Sequence, residues 1–178
     1  MRNIGAAMAR KRSIAAVLAA VLAVPTLVLL VAYRFAGEGA GLQPGQELPA
    51  AQLVGLDGHV VDTRSWSGAP TLLVLYRSTC RACEREIVGL SSVSSSIPEL
   101  RIVLLALDSA APRVPTEFPV LTDPTGKFLR VVRKVMAPTL YLLDSEGRVI
   151  YVRSGQRPPE YELTTLADLL GADRGAGY

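Results

Sequence analysis

The chain has 178 residues, a length that suits one ordinary domain, and its charge distribution excludes a large class of partners. The formal net charge is +3, but five of the 19 basic residues fall within residues 1–34, which contain no acidic residue. The other 14 basic residues are outnumbered by 16 acidic residues, and the whole chain has only three Phe and one Trp. Nucleic-acid binding needs a basic surface with aromatic side chains for stacking. We therefore expect no nucleic-acid partner.

An uncharged apolar segment occupies residues 13–33. At about 1.5 Å of rise per residue, a helix of this length can cross a hydrocarbon layer roughly 30 Å thick. The alternative is a cleaved signal peptide, whose apolar core usually has only about 7–15 residues. Here Arg34 stands where a small-residue cleavage site would have to begin. We expect an uncleaved transmembrane anchor.

The basic residues around this segment predict its orientation. Only Arg34 follows it closely, whereas four basic residues precede it: Arg2, Arg10, Lys11 and Arg12. Positively charged flanks stay in the cytoplasm, so the rest of the chain is expected in the periplasm or outside the membrane. Disulfides persist there. We expect a single-pass protein of the cytoplasmic (inner) membrane.

The predicted organisation has four segments. Residues 1–12 form a basic cytoplasmic amino terminus, and residues 13–33 form the anchor. Residues 34–49, rich in Gly and Pro, are typical of a linker. One folded domain is expected over residues 50–173.

The domain begins with a predicted hairpin and a buried strand. Gln52–Leu56 and His59–Asp62 flank an Asp57-Gly58 pair, which is a strong short-range hairpin signal. The run Thr71–Tyr76 is continuously apolar, which is typical of a strand buried on both faces.

The later elements are assigned from helical spacing, apolar runs and proline positions. In chain order they are a helix after Cys80 that stops at Pro98, a strand at Arg101–Leu107, a loop over residues 108–119, a helix from Asp123 to about Lys134, a hairpin of Thr139–Leu143 and Arg148–Arg153, and a last helix opened by Pro158-Pro159. This order predicts the α/β class, with helices on the faces of a mixed sheet.

Cys80 and Cys83 lie at a predicted strand-to-helix junction, and this position favours redox chemistry. The first thiol sits at the start of a helix, where unpaired N–H groups and the dipole favour an anion. Its pKa should therefore fall, and the thiolate is the nucleophile. The second thiol, three residues later, lies on the same helix face and can attack a mixed disulfide. We expect Cys80 to attack and Cys83 to resolve.

The two cysteines have three other interpretations. A structural disulfide closing so short a loop would constrain the unfolded chain little. A zinc site needs two more ligands, but His59 is the only histidine and there is no third cysteine. Two inert buried thiols do not explain the junction position. A Cys-x-x-Cys beside an α/β pattern is a specific redox signal, and we favour that reading.

Two stretches of the chain resemble the thioredoxin fold: LLVLYRSTCRACEREIVGL and APTLYLLDSEGRVIYVRSG. With the anchor and the leading hairpin, the chain resembles the TlpA/ResA-like membrane-anchored thiol–disulfide oxidoreductases over roughly residues 44–170. The resemblance implies a thioredoxin-like fold with an extra amino-terminal β-hairpin. It also implies a redox-active Cys80–Cys83 disulfide, with no other cofactor and no metal.

The same resemblance assigns roles to three further residues. Pro138 stands where the family carries a cis-proline, so Ala137-Pro138 would present its backbone to the substrate. From the residues alone, the alternative is a trans proline at a strand edge. Glu86 matches an acidic residue near the family's active site and would relay protons, although helix position alone indicates a solvated side chain.

The chain also departs from the family pattern. Thr79 replaces the aromatic residue that most members have before the first cysteine, and Val74 replaces the buried Asp of thioredoxin. Arg81 lies directly after Cys80, where its charge should stabilise the thiolate. A more stable reduced form makes a more oxidising couple, so we expect a potential less reducing than that of thioredoxin.

The expected function is reduction of cysteines in exported proteins, such as apocytochromes before haem attachment or proteins with metal sites. Re-reduction would need an electron donor across the membrane. The alternatives are a peroxiredoxin-like peroxidase and a Sco-like copper chaperone. Leu73 and Arg77 occupy the Pro and Thr positions of the peroxidase pattern, and the chaperone needs a longer cysteine spacing and a downstream His.

Overall fold

The structure is a computed structural model, and it describes residues 23–26, 41–132 and 136–175. The chain divides into two compact units, residues 1–38 and 39–178. In the first unit, residues 23–26 form one exposed helical turn. The predicted cytoplasmic segment 1–12 and the rest of the predicted anchor lie outside the described residues. Among the residues that are described, no helix is both long enough and apolar enough to cross a membrane.

The second unit is an α/β domain whose described part contains seven strands and three α-helices. The strands are β1 (Gln52–Gly55), β2 (Val60–Asp62), β3 (Thr71–Tyr76), β4 (Arg101–Ala106), β5 (Val120–Thr122), β6 (Thr139–Leu143) and β7 (Val149–Ser154). The helices are α1 (Arg81–Ser96), α2 (Lys127–Val132) and α3 (Pro159–Gly175), and a short 3₁₀ helix covers Thr63–Trp66.

All seven strands form one mixed sheet in the order β2-β1-β5-β4-β3-β6-β7. Strands β3, β4 and β5 run parallel, with Thr71 opposite Arg101 and Tyr76 opposite Ala106. The other neighbouring pairs are antiparallel. The carboxyl ends of β3 and β4 therefore meet at one edge, which is where ligand sites of open α/β sheets usually lie.

The central strand β3 supports two hydrophobic cores, one on each face of the sheet. Leu72 and Val74 face a core covered by α1 and α3, whereas Leu73 and Leu75 face a core covered by α2 and Trp66. Every residue of β3 is buried. Each fully buried leucine contributes about 1.5–3 kcal/mol through the hydrophobic effect, so burial on both faces holds the end of this strand firmly in place.

Two elements differ from the sequence predictions. Strand β5 was not predicted, because three residues are too short to show a period, and it depends on pairing with β1 and β4. The helix predicted from Asp123 begins four residues later, at Lys127. Asp123 instead closes a turn, accepting hydrogen bonds from Thr125 at 3.1 Å and from the N–H of Leu129 at 2.9 Å. The predicted end at Lys134 lies outside the described residues.

The described part of the predicted linker packs against the domain. The N–H of Gly45 donates to Val149 at 2.7 Å, and the N–H of Leu48 donates to Gly147 at 2.9 Å. The side chain of Leu42 is buried in the core beneath α2. These contacts lie at the β6–β7 turn. Because β6 is antiparallel to β3, this turn lies at the opposite end of the strands from Tyr76. The chain thus enters the domain at the edge remote from the cysteines.

Candidate active site

The two cysteines follow β3 in a loop that is fixed to the end of β4. The N–H of Cys80 donates to the carbonyl of Arg77 at 3.2 Å and closes a turn. Ser78 donates to the carboxylate of Asp108 from its N–H at 2.9 Å and from its hydroxyl at 2.8 Å. Partial burial acts to raise the pKa of Asp108, but these bonds prevail and lower it. An ionised Asp108 therefore anchors the loop.

Cys80 caps the amino terminus of α1 and is joined to Cys83 by a disulfide. The Sγ atom of Cys80 accepts a hydrogen bond from the N–H of Cys83 at 3.1 Å, and the two Cα atoms are 5.2 Å apart. Cys80 is partly exposed, whereas Cys83 is fully buried in the core. An external sulfur can therefore reach Cys80 but not Cys83.

The peptide bond between Ala137 and Pro138 is cis, and it lies beside the cysteines. The carbonyl oxygen of Ala137 is 3.7 Å from the Sγ of Cys80. Pro138 is buried, and its own carbonyl accepts a hydrogen bond from the N–H of Gly155 at 2.8 Å. The loop is thus held against β7, with the backbone of Ala137 next to the reactive sulfur.

Glu86 is a buried member of a charged cluster. It lies on α1, three residues after Cys83, and its side chain is 4% exposed. The guanidinium of Arg153, on β7, donates to Glu86 Oε1 at 2.6 Å. Its Nε atom is 2.7 Å from Glu162 Oε2, on α3, although these two atoms are not aligned for a hydrogen bond. Two carboxylates thus share one arginine in the interior.

The cluster holds more negative than positive charge, and this affects Glu86. Burial raises the pKa of Glu86, Arg153 acts against it, and the nearby carboxylate of Glu162 adds to the increase. The net direction is upward, because desolvation outweighs the single arginine. Glu86 can therefore hold a proton at a higher pH than a solvated glutamate would. The burial rules out the solvated side chain that helix position alone would indicate.

Arg153 and Glu162 were not identified from the sequence, although each leaves a signal. Arg153 is the charged residue of β7, and it follows the apolar and aromatic run of residues 149–152. Glu162 precedes Leu166 and Leu170 at intervals of four residues, so it belongs to the inward face of α3. A charge on a predicted buried face indicates a buried ion pair, because an unpaired charge there would be too costly.

The remaining sequence expectations concern residues around the motif. Val74 is fully buried and belongs to the same hydrophobic core as Cys83. Thr79 and Arg81 are exposed. His59 pairs with Asp57 in the β1–β2 turn, beside the amino-terminal end of β5, whereas Cys80 follows the carboxyl end of β3. Within the part of the chain that the structure describes, no three His, Cys, Asp or Glu residues are grouped to hold a metal ion.

Residues 43–170 match the family model described as Redoxin. A curated relative, the thiol-disulfide oxidoreductase ResA of Bacillus thuringiensis subsp. konkukian, is 23% identical over 128 residues, which cover 67% of this chain and 74% of the relative. Among solved structures, a putative thiol:disulfide interchange protein DsbE from Chlorobium tepidum is similar with a TM-score of 0.62 and 27% identity, covering 72% of this chain and 99% of that one.

A thiol peroxidase from Chromobacterium violaceum has the same fold, with a TM-score of 0.60 over 76% of this chain and 90% of that one. Its identity is 18%, so the likeness concerns the fold alone. The fold therefore does not distinguish disulfide exchange from peroxide reduction, and the site chemistry has to do so.

Proposed function

The chain belongs to the Redoxin family and is a thioredoxin-like thiol–disulfide oxidoreductase, and we propose that it is a membrane-tethered reductase of disulfides in exported proteins. The observation that carries the proposal is the difference in access between the two sulfurs. Cys80 is partly exposed at the start of α1, and Cys83 is buried behind it. In such a pair, the exposed sulfur attacks the substrate disulfide and the buried sulfur resolves the mixed disulfide that forms.

In the first step, the thiolate of Cys80 attacks one sulfur of the substrate disulfide. A bond forms between Cys80 and that sulfur, and the other substrate sulfur leaves as a thiolate. The N–H of Cys83, which points at Cys80 Sγ in the oxidised form, and the helix dipole stabilise the attacking anion. The backbone of Ala137, next to Cys80 Sγ, would align the substrate segment across the site.

In the second step, Cys83 loses its proton and attacks Cys80 Sγ. The Cys80–Cys83 disulfide forms, the bond between Cys80 and the substrate breaks, and the substrate sulfur that was bonded to Cys80 leaves as a thiolate. Since Cys83 is buried, its proton needs an internal acceptor. Glu86, one turn further along the same helix and with a raised pKa, would take this proton and later release it to solvent.

The proposed location rests on the uncharged segment 13–33 and on the basic residues that precede it. The domain would then act outside the cytoplasmic membrane, and electrons would reach it from a donor within that membrane. Its substrates would be exported proteins that need free cysteines, such as apocytochromes or proteins that bind metal through thiols. A membrane-impermeant maleimide applied to intact cells should label Cys80 after reduction; labelling only after lysis would contradict this location.

The equilibrium reduction potential of the full chain in detergent tests the reductase assignment. A value at or below about −250 mV, nearer thioredoxin than DsbA, is expected for a reductase. A value of about −120 to −180 mV would instead indicate an oxidase or isomerase.

Trapping tests the assignment of the two cysteines. Cys83→Ser should accumulate a mixed disulfide with a protein substrate, whereas Cys80→Ser should accumulate none. The reverse pattern would overturn the mechanism. Rapid consumption of hydrogen peroxide by the reduced wild-type protein, faster than its reaction with disulfides, would favour the peroxidase alternative.

A further inference from the structure

Four exposed arginines lie around the reactive cysteine and form what we call the arginine rim: Arg77, Arg81, Arg85 and Arg157. The first two flank Cys80 in the chain. Arg85 lies one turn beyond Arg81 on the same exposed face of α1, because residues four apart share a face. It donates to Gln156 Oε1 at 2.8 Å, next to Arg157 in the β7–α3 connection.

The arginine rim makes no direct ion pair within the described part of the chain. None of its four residues takes part in an ion pair there, whereas Arg64, Arg148 and Arg153 all do. Glu84 lies nearby in the first turn of α1, and the carboxylate of Asp108 accepts hydrogen bonds from Ser78. Two buried carboxylates, Glu86 and Glu162, line one cavity with Arg85 and Arg157, but their ion pairs are with Arg153. The guanidinium groups of the arginine rim are therefore exposed and have no ion pair within the described residues, although the chain after residue 34 carries an excess of acidic residues.

The position of Arg81 does not help helix α1 to form. Acidic residues stabilise the first turn of a helix, and basic residues there oppose the dipole. Helix α1 nevertheless begins with Arg81. A basic residue in such an unfavourable position, without a contact that compensates for it, is expected mainly at functional sites.

An exposed apolar side chain lies next to the residue that contacts the reactive sulfur. Met136 is 60% exposed and directly precedes Ala137, whose carbonyl contacts Cys80 Sγ. A Cβ atom added to Gly155, directly after β7, would lie 3.6 Å from the Sδ atom of Met136. The surface around the reactive sulfur thus combines a flexible apolar residue with cationic groups at its edge.

We propose that this surface selects substrates whose reactive cysteine is flanked by acidic residues, so that the partner is an acidic segment of an exported polypeptide. Guanidinium groups bind carboxylates through paired hydrogen bonds, and unpaired guanidinium groups are free to do so. Met136 adapts to the apolar residues of different segments. The inference rests on the proposed disulfide reduction and specifies its substrates.

The test uses the reduced full chain in detergent and three synthetic peptides, each with one disulfide flanked by three Glu, three Gln or three Lys residues. The rate of Cys80–Cys83 oxidation by each peptide is divided by the rate of the same peptide with dithiothreitol. This division removes the intrinsic effect of peptide charge on disulfide reactivity.

The Glu peptide should react about tenfold faster than the Lys peptide at roughly 0.02 M ionic strength, with the Gln peptide between them. This ratio should fall to about twofold or less at roughly 0.5 M salt, since screening shortens the reach of exposed charges. A ratio near one at low salt, or a preference for the Lys peptide, would overturn the proposal while leaving disulfide reduction intact. Failure of all three peptides to react would count against the proposed function itself.

Variants separate the arginine rim from the overall charge of the protein. Arg85→Gln and Arg157→Gln should each lower the Glu-to-Lys ratio about two- to fivefold. Arg130→Gln is the matched control, because Arg130 is exposed on α2, which packs on the other face of the sheet. It should leave the ratio unchanged. An equal loss in Arg130→Gln would overturn the assignment to this surface.

Discussion

Cys80 and Cys83 are three residues apart, yet the charges around them are organised differently. Around Cys80 the arginines are exposed and have no ionic partners within the described residues. Behind Cys83, Arg153 is buried between Glu86 and Glu162 at 2.6 and 2.7 Å. Charges at the surface are screened by water and salt, whereas charges in the interior interact strongly. The exposed side suits recognition of changing partners, and the buried side suits handling of one proton.

The largest effect is expected when the buried cluster loses Arg153, the cation in direct contact with both carboxylates. Arg153→Met leaves two carboxylates together in the interior and should lower the free energy of unfolding by about 3–5 kcal/mol. Urea unfolding followed by circular dichroism measures it. Arg148→Met is the control, because its ion pairs with Glu47 and Glu146 are exposed and contribute about 0–1 kcal/mol. Equal losses of unfolding free energy in the two variants would contradict the view that the buried ion pairs are stronger than the exposed ones.

A second prediction concerns the resolving step. Glu86→Gln keeps an acceptor for Arg153 but cannot take the proton of Cys83, so release of substrate from the mixed disulfide should slow about 100-fold. Rapid mixing followed by acid quench and thiol alkylation measures this rate separately from the first attack. Glu84→Gln changes the same residue type in the first turn of α1 and should have little effect. Equal slowing in both variants would contradict the proposed proton transfer to Glu86.

A third prediction follows from the raised pKa of Glu86. The unfolded chain releases this proton near the ordinary pKa of 4.5, but the folded protein retains it to higher pH. The folded state therefore binds more protons above that pH, and this part of the stability is lost as the pH rises. Unfolding free energies should fall from pH 4.5 to 7.5 in wild type relative to Glu86→Gln. A constant or opposite difference would show that Arg153 outweighs burial.

The smallest effect is expected at the surface. Arg81→Ala should lower the reduction potential by about 5–20 mV, because an exposed charge stabilises the Cys80 thiolate by about 0.2–1 kcal/mol. The shift should shrink in high salt. Equilibration with glutathione buffers measures it. An unchanged or higher potential would show that Arg81 serves only to recognise substrates.

The sequence was sufficient for the parts of the fold that have long patterns. The run Thr71–Tyr76 and the segment Thr139–Leu143 form strands with the predicted bounds. Continuous burial on both faces makes such strands conspicuous. Strand β5 and the start of α2 were missed, because a three-residue strand and the turn built by Asp123 depend on contacts with distant elements.

The same distinction applies to the candidate site. The spacing of Cys80 and Cys83 and their place at a helix start are local features, and the sequence showed them directly. The partners of Glu86 are not local, since Arg153 is 67 residues away in the chain and Glu162 comes from another helix. Sequence spacing within α1 could not reveal them.

Helix α3 has a consequence for how the domain can be shortened. A chain ending before Glu162 would keep all seven strands and both cysteines. It would also lose the second carboxylate of the cluster and uncover Arg153, so the balance of charge behind Cys83 would change from an excess of acid to an even pair. The carboxy-terminal helix therefore contributes to the charged cluster behind Cys83, and we expect a fragment that keeps this cluster to extend past residue 162.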